Sequence, residues 1–143
     1  MARKWTEAQS DAIRARRGSL LVSAAAGSGK TAVLVERVIE RLTDPEHPTP
    51  ADRLLVVTFT RAAAAEMSAR ISRQLALLLE QSPHDVHLQR QQLLMTRAHI
   101  STIHSFCGDL VREFFYKLNL SPDFRILDDS EMAVLRADAM EET

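Results

Sequence analysis

Apolar residues fall along this chain in two rhythms: short unbroken runs, and longer stretches in which they return every three or four positions. Leu20-Leu21-Val22, continuing to Ser23, is an unbroken run of the kind seen in a parallel-sheet strand buried on both faces, and Leu54-Leu55-Val56-Val57 is a second. Between them Val33, Leu34, Val38, Ile39 and Leu42 recur at helical spacing over residues 30–42. Strand, helix and strand in that order predict a βαβ unit, hence an α/β fold with a parallel sheet flanked by helices. Ahead of it, residues 6–17 predict a short helix with Thr6 as N-cap, Glu7 in the first turn, arginines at the end, and Gly18 as its stop. After the proline-punctuated loop 43–50 and the second strand, residues 62–80 predict a long helix with Met67, Ile71, Leu75 and Leu78 on one face, closed by Ser82-Pro83. A helix over 84–97, a strand over 100–103 and a helix over 105–118 follow, the last with Phe106, Leu110, Val111 and Phe114 inward. An extended segment 124–127 leads to a final helix capped by Asp129 or Ser130. That helix runs to the last residue with no closing signal, so the domain is expected to continue beyond it.

The segment between the first strand and the first long helix carries the chemistry. It reads Ala24-Ala25-Ala26-Gly27-Ser28-Gly29-Lys30-Thr31. A glycine-containing turn from a buried strand into a helix lets successive backbone N–H groups converge on phosphate oxygens at the positive end of the helix dipole. Residues 24–31 are thus expected to hold a nucleoside triphosphate, with Lys30 on the β- and γ-phosphates and the Thr31 hydroxyl on Mg²⁺. Ala24 stands where the generic pattern G-x-x-x-x-G-K-S/T has glycine, and Gly27 supplies a second flexible point.

Composition narrows the partners. The 143 residues suit one domain with a real core, and a formal net charge of −1 gives no global pull toward nucleic acid. Any DNA contact must therefore be local, either Arg14-Ala15-Arg16-Arg17 or the spread Arg61, Arg70, Arg73, against the alternative of solvated helix faces. Cys107, the sole cysteine, excludes an intramolecular disulfide and is expected to be a buried structural thiol. No apolar stretch approaches the roughly 18 residues that span a bilayer, and Met-Ala-Arg-Lys-Trp lacks a signal peptide's apolar core, so no membrane contact and a cytoplasmic location are expected.

Three further segments bear on the kind of nucleotide protein. Gln9, in Trp5-Thr6-Glu7-Ala8-Gln9, offers a donor and an acceptor in one plane, matching adenine N7 and N6 and not guanine, which accepts at both N7 and O6. Thr58-Phe59-Thr60-Arg61, at the carboxyl end of the second strand, places hydroxyls, a helix N-terminus and a guanidinium where open α/β sheets bind ligands, with Phe59 available for stacking. Ser101-Thr102-Ile103-His104-Ser105-Phe106 repeats that situation at the next strand-to-helix junction.

In order and spacing these segments resemble the N-terminal part of superfamily 1A helicases of the UvrD/Rep type. In that family a glutamine motif, a loop A-x-A-G-S-G-K-T, a motif T-F-T-x-x-A-A-x-E-M and a motif T-x-H-S-F follow one another, and alanine at position 24 is usual. Within it, K-W-T-x-x-Q, the alanine-rich run before Glu66-Met67, and I-S-T-I-H-S-F-C followed by F-R-I-L-D look most like the AddA branch of helicase–nuclease subunits. Arg61 departs from the asparagine usual there. The resemblance implies a RecA-like P-loop domain over residues 1–127, the first part of helicase domain 1A, with an inserted helical subdomain beginning at 128–143. It implies ATP and Mg²⁺ as cofactors, Gln9 as adenine reader, and Thr58, Thr60, Arg61, His104 and Ser105 against single-stranded DNA. Further implied partners are duplex DNA and a second subunit of the AddB type, in double-strand-break processing, recombination and repair.

Hydrolysis also needs carboxylates that hold the metal and orient water. Phe124-Arg125-Ile126-Leu127-Asp128-Asp129 imitates an apolar strand ending in two acids, but Arg125 interrupts it and Asp128-Asp129-Ser130-Glu131 reads as an acidic helix start. The chain is accordingly expected to bind ATP without hydrolysing it appreciably. A repair helicase without nuclease, a non-hydrolysing nucleotide-binding module and a metabolic phosphate-loop kinase are the alternatives.

Overall fold

The computed structural model describes residues 4–141. It forms two compact units, one ending at Phe106 and the other beginning at Cys107. Positions 142 and 143 of the predicted last helix, and the first three residues, lie outside the described residues.

In the first unit the predicted front helix is α1 (Glu7–Arg14). Thr6 closes a capping box: its hydroxyl accepts from the Gln9 backbone N–H at 3.3 Å, and the Gln9 side-chain oxygen accepts from the Thr6 N–H at 3.0 Å. α2 spans Lys30–Leu42, as its periodicity predicts. Its buried row is Val35, Val38, Ile39 and Leu42, while Leu34, expected inward, is exposed. β1 (Leu55–Thr58) and β2 (His99–Thr102) pair in parallel with Thr58 opposite Thr102. They are linked by α3 (Arg61–Gln81) and α4 (Val86–Leu94), so the complete crossover is β1–α3–α4–β2.

Two expectations about strands are corrected. Residues 20–23 run without helix or strand assignment and Leu21 is 93 % exposed, because neither strand of the two-stranded sheet pairs with them and an extended segment without a ladder partner buries neither face. β1, expected to be covered on both faces, buries only Val56 and leaves Leu55 and Val57 exposed. All the helices that meet the sheet's core cluster, α2, α3 and α4, supply it from one side: Val35 to Leu42, Met67, Ile71, Leu75 and Leu88 pack with Val56 and Ala51. Trp5, Ala12, Ile13 and Val33 form a second, smaller cluster between α1 and α2.

Gln91 is the buried polar pin of this core, 2 % exposed. Its oxygen accepts from the Ala51 N–H at 2.9 Å, and its amide nitrogen donates to the carbonyls of Leu42 at 2.9 Å and Thr49 at 3.1 Å. The Leu42 carbonyl is one of those a helix end leaves without an intrahelical partner, and His87 Nε2 meets it too at 2.6 Å, which puts a proton on Nε2. α4 thereby ties down both the end of α2 and the loop that follows.

The second unit contains most of α5 (Ile103–Glu113), a turn at Phe115–Lys117 and α6 (Asp129–Glu141). No residue of α5 is buried, and Cys107, expected inside, is exposed. The inward row foreseen for α5 is only half-covered at Phe106, Val111 and Phe114, and Leu110 is exposed. Arg112 lies over the Phe124 ring at 5.9 Å and Lys117 over that of Phe114 at 5.1 Å, two cation–π contacts within the unit.

Replacing Gln91 by leucine strands the Ala51 N–H and the Thr49 carbonyl and leaves the Leu42 carbonyl to His87 alone. Gln91→Leu is expected to lower stability by about 2–3 kcal/mol in urea unfolding, against little change for Gln89→Leu, whose amide sits on the surface.

Candidate functional site

The loop entering α2 is built on two glycines that no L-residue replaces without strain. Gly27 has φ 77° and Gly29 φ 84°, and Gly29 is also the N-cap of α2. These turns bring Lys30, the first residue of α2, back over the loop, where its ammonium donates to the carbonyls of Ala24 and Ala25, both at 2.7 Å. An ammonium has three N–H groups, so one remains for a ligand on the open side. Ala24, Ala25, Ala26, Ser28 and Thr31 are all exposed, with the Thr31 hydroxyl in the first helical turn. A loop with left-handed glycines, a cation held over it and a helix N-terminus behind it suits a polyphosphate.

Gln9 closes one wall of a cleft of about 240 Å³, shared with Ala12, Val22, Ser28, Lys30 and Val33. Its amide is held at both ends: the oxygen accepts from Thr6 N–H, and the nitrogen donates to the Ser28 carbonyl at 3.2 Å. Each partner admits only one assignment of oxygen and nitrogen, so the amide cannot be flipped without losing both bonds. One N–H and one oxygen lone pair are left over, the donor and acceptor that adenine's N7 and N6 demand.

The other predicted residues gather at one end of the sheet. Because β1 and β2 run parallel with Thr58 opposite Thr102, both strand-to-helix junctions open at the same end. Thr60 caps α3 by accepting from Ala63 N–H at 3.1 Å, and the Thr58 hydroxyl donates to the Thr60 carbonyl at 2.9 Å. Arg61 starts the helix in the open, and the adjacent Phe59 is fully exposed. At the second junction the Thr102 hydroxyl accepts from the Ser105 N–H at 3.2 Å and lies 2.9 Å from the Ser105 hydroxyl, while His104 is exposed. Of the two basic clusters, Arg16 is paired at the surface with Glu40 and Asp44, and Arg70 is paired with Glu66 along α3, which leaves Arg61 and Arg73 as the open cations of the second.

Sequence reasoning missed Arg37 and Arg41. Arg37 Nη1 donates to the carbonyls of Ala12 and Ile13, and Arg41 Nη2 to that of Ala15 at 3.2 Å, so α2 holds the end of the helix that carries Gln9. The signal was the row Val33, Arg37, Arg41, four residues apart on one helix face.

Asp128, the imitation acid, is a helix cap. Its carboxylate accepts from the N–H groups of Ser130 at 3.0 Å and Glu131 at 2.9 Å, and Glu131 reaches back to the Asp128 N–H at 3.2 Å. The cap is therefore one residue earlier than expected. The Ser130 hydroxyl first, then the Glu131 N–H, hold the Asp128 carboxyl below its ordinary 3.8, and Arg125 chiefly holds Glu131 below 4.5. Both groups are depressed in the folded state, so their support of α6 is complete above those ordinary values and is lost as pH falls through the depressed ones. Amide protection at Ser130 and Glu131 is expected to hold down to 3.8 and to fall away only as pH drops below it, and Asp128→Ala to remove that dependence, as followed by NMR.

Residues 5–143 match the family model of the UvrD/REP helicase N-terminal domain. Proteins named as ATP-dependent helicase/nuclease subunits are similar throughout: that of Moorella thermoacetica is 55 % identical over 97 % of this chain and 10 % of its own length. That of Pelotomaculum thermopropionicum is 55 % identical over 99 % of this chain and 11 % of its own, and a Thermoanaerobacter protein 56 % over 99 % and 12 %. The chain thus spans about a tenth of the length of these relatives, and it belongs to the UvrD/REP helicase N-terminal domain family.

Proposed function

We propose that the chain is the leading part of the RecA-like, P-loop motor domain of an ATP-dependent DNA helicase and exonuclease that processes double-strand breaks for recombination and repair. The single observation that carries this is the 24–31 loop with its Lys30 ammonium beside a Gln9 amide that keeps one donor and one acceptor free. The identity of more than half with proteins named as helicase/nuclease subunits extends it to the parent activity and to a second protein of the AddB type. Residues 1–127 make up the ATP-binding part, and the capped start of α6 at 128 opens the inserted helical subdomain.

Gln9 reads adenine, the N–H groups of residues 24–31 surround the triphosphate, Lys30 neutralises its outer phosphates, and the Thr31 hydroxyl takes Mg²⁺. The metal supplies charge neutralisation at the phosphates when bound. Thr58, Thr60 and Arg61 meet the phosphate backbone of single-stranded DNA through hydroxyls, a helix N-terminus and a guanidinium, and Phe59 stacks on a base. His104 and Ser105 extend that track from the neighbouring junction.

The 143-residue chain is expected to bind Mg-ATP, with Lys30→Ala weakening it about 10- to 100-fold in titrations with a fluorescent analogue. It is expected to turn ATP over negligibly. DNA-dependent turnover lost on Lys30→Ala would instead assign Asp128 or Asp129 a catalytic role. For a single-stranded oligonucleotide, Arg61→Ala is expected to lower the salt slope by about 1, and Phe59→Ala to weaken binding with the slope unchanged.

A further inference from the structure

α2 does two things at once. Its first residue, Lys30, holds the loop, and one row further along it, Val33, Arg37 and Arg41, holds α1. A helix ending at Arg14 leaves its last carbonyls without intrahelical donors and with partial negative charge. Here Arg37 takes those of Ala12 and Ile13, Arg41 those of Ala15 and, at 3.5 Å, Arg16, while Arg16 itself donates to Ile13 at 3.2 Å. Arg16 is in turn paired with Glu40 at 3.3 Å and Asp44 at 3.4 Å, both contributed by α2 or the turn after it. Three guanidinium groups thus converge on one helix end, and the carbonyls and the two carboxylates offset their mutual repulsion. Partial burial first, then Arg41 and Arg16, draw the Arg37 pKa down.

We propose that Arg37 and Arg41 are positioning residues for base selection, fixing α1 on α2 so that the Gln9 amide stands at a set distance from the triphosphate loop. This rests on the reading of Gln9 as adenine reader. The amide's hold on the loop is a single bond to the Ser28 carbonyl, and its other bond, to Thr6, lies within α1 itself. The rotation and slide of α1 are therefore set by the packing of Trp5, Ala12 and Ile13 with Val33 and, at its far end, by the arginine clamp. A bidentate amide–adenine contact tolerates little displacement, whereas residues 24–31 present their own N–H groups and the Lys30 ammonium to phosphate and meet the α1 side chains only through the Gln9–Ser28 bond.

The clamp thus predicts a split that a general loss of stability does not produce. In the full 143-residue chain with Mg²⁺, dissociation constants are measured for ATP, GTP and inorganic tripolyphosphate. The unsubstituted chain is expected to prefer ATP about tenfold or more, and Gln9→Ala to abolish the preference. Arg37→Met keeps the aliphatic stem and loses the fork. It is expected to bring the ATP:GTP ratio to within about twofold with tripolyphosphate affinity retained, and Arg37→Lys to restore part of the ratio. Arg41→Met, which frees only the carbonyls of Ala15 and Arg16, is expected to give a smaller loss and serves should Arg37→Met not fold. An unchanged ratio in a folded Arg37→Met or Arg41→Met, with Gln9→Ala still abolishing preference, overturns the clamp's role alone. Absence of any ATP preference in the unsubstituted chain overturns the reading of Gln9, and the inference with it.

Discussion

Two buried faces on a single helix constrain everything else in the first unit. α2 presents Val35, Val38, Ile39 and Leu42 to the sheet's core and Val33 to α1, with Arg37 and Arg41 extending the second row as a polar grip. A helix buried on adjacent faces cannot rotate about its axis without exposing one of them. Lys30 at its N-terminus is therefore held in azimuth as well as position, and the loop of residues 24–31 inherits that constraint. The other end of α2 is fixed by Gln91 and His87 of α4 on the Leu42 carbonyl. The helix is tied at its start by the turn of Gly27 and Gly29, along its length by apolar packing, and at its end by buried hydrogen bonds.

The sheet contributes through direction. Parallel pairing of β1 with β2 obliges the chain to cross over through α3 and α4, which bury Met67, Ile71, Leu75 and Leu88 against Val56. The same parallelism brings the Thr58–Arg61 and Thr102–Ser105 junctions to one end, so two helix starts far apart in sequence share a surface. Phe59 is fully exposed between two threonines whose hydroxyls are engaged locally.

Asp128 illustrates how far composition misleads when read without geometry. An apolar run ending in two acids has the outline of a metal-binding strand end, yet the carboxylate is committed to two backbone N–H groups and a hydroxyl. A capping box answers the charge and the spacing of Asp128 and Glu131 more simply than a cation does. The interruption by Arg125, visible in the sequence, has its counterpart in the pairing of Arg125 with Glu131.

Local chemistry was legible in the sequence because it depends on neighbours within a few positions. The Thr6 cap, the bounds of α2, the apolar face of α3, the glycine turn before Lys30 and the acidic start of α6 all follow from backbone propensity and short-range hydrogen bonding. What depended on distant partners was not. An apolar run such as 20–23 states only that a strand is possible there, and whether it pairs is decided by what lies beside it. Likewise the exposure of Cys107, the single covered face of β1 and the choice of Val35 over Leu34 depend on which helices pack where. The arginine clamp is the clearest case. Arg37 and Arg41 gain their role only when the fold lays the carbonyls at the end of α1, more than twenty residues earlier, across their row. Sequence alone determined the groups available for binding; tertiary structure decided how much of each was free to bind, because every N–H or lone pair engaged by a distant backbone is one fewer for a ligand.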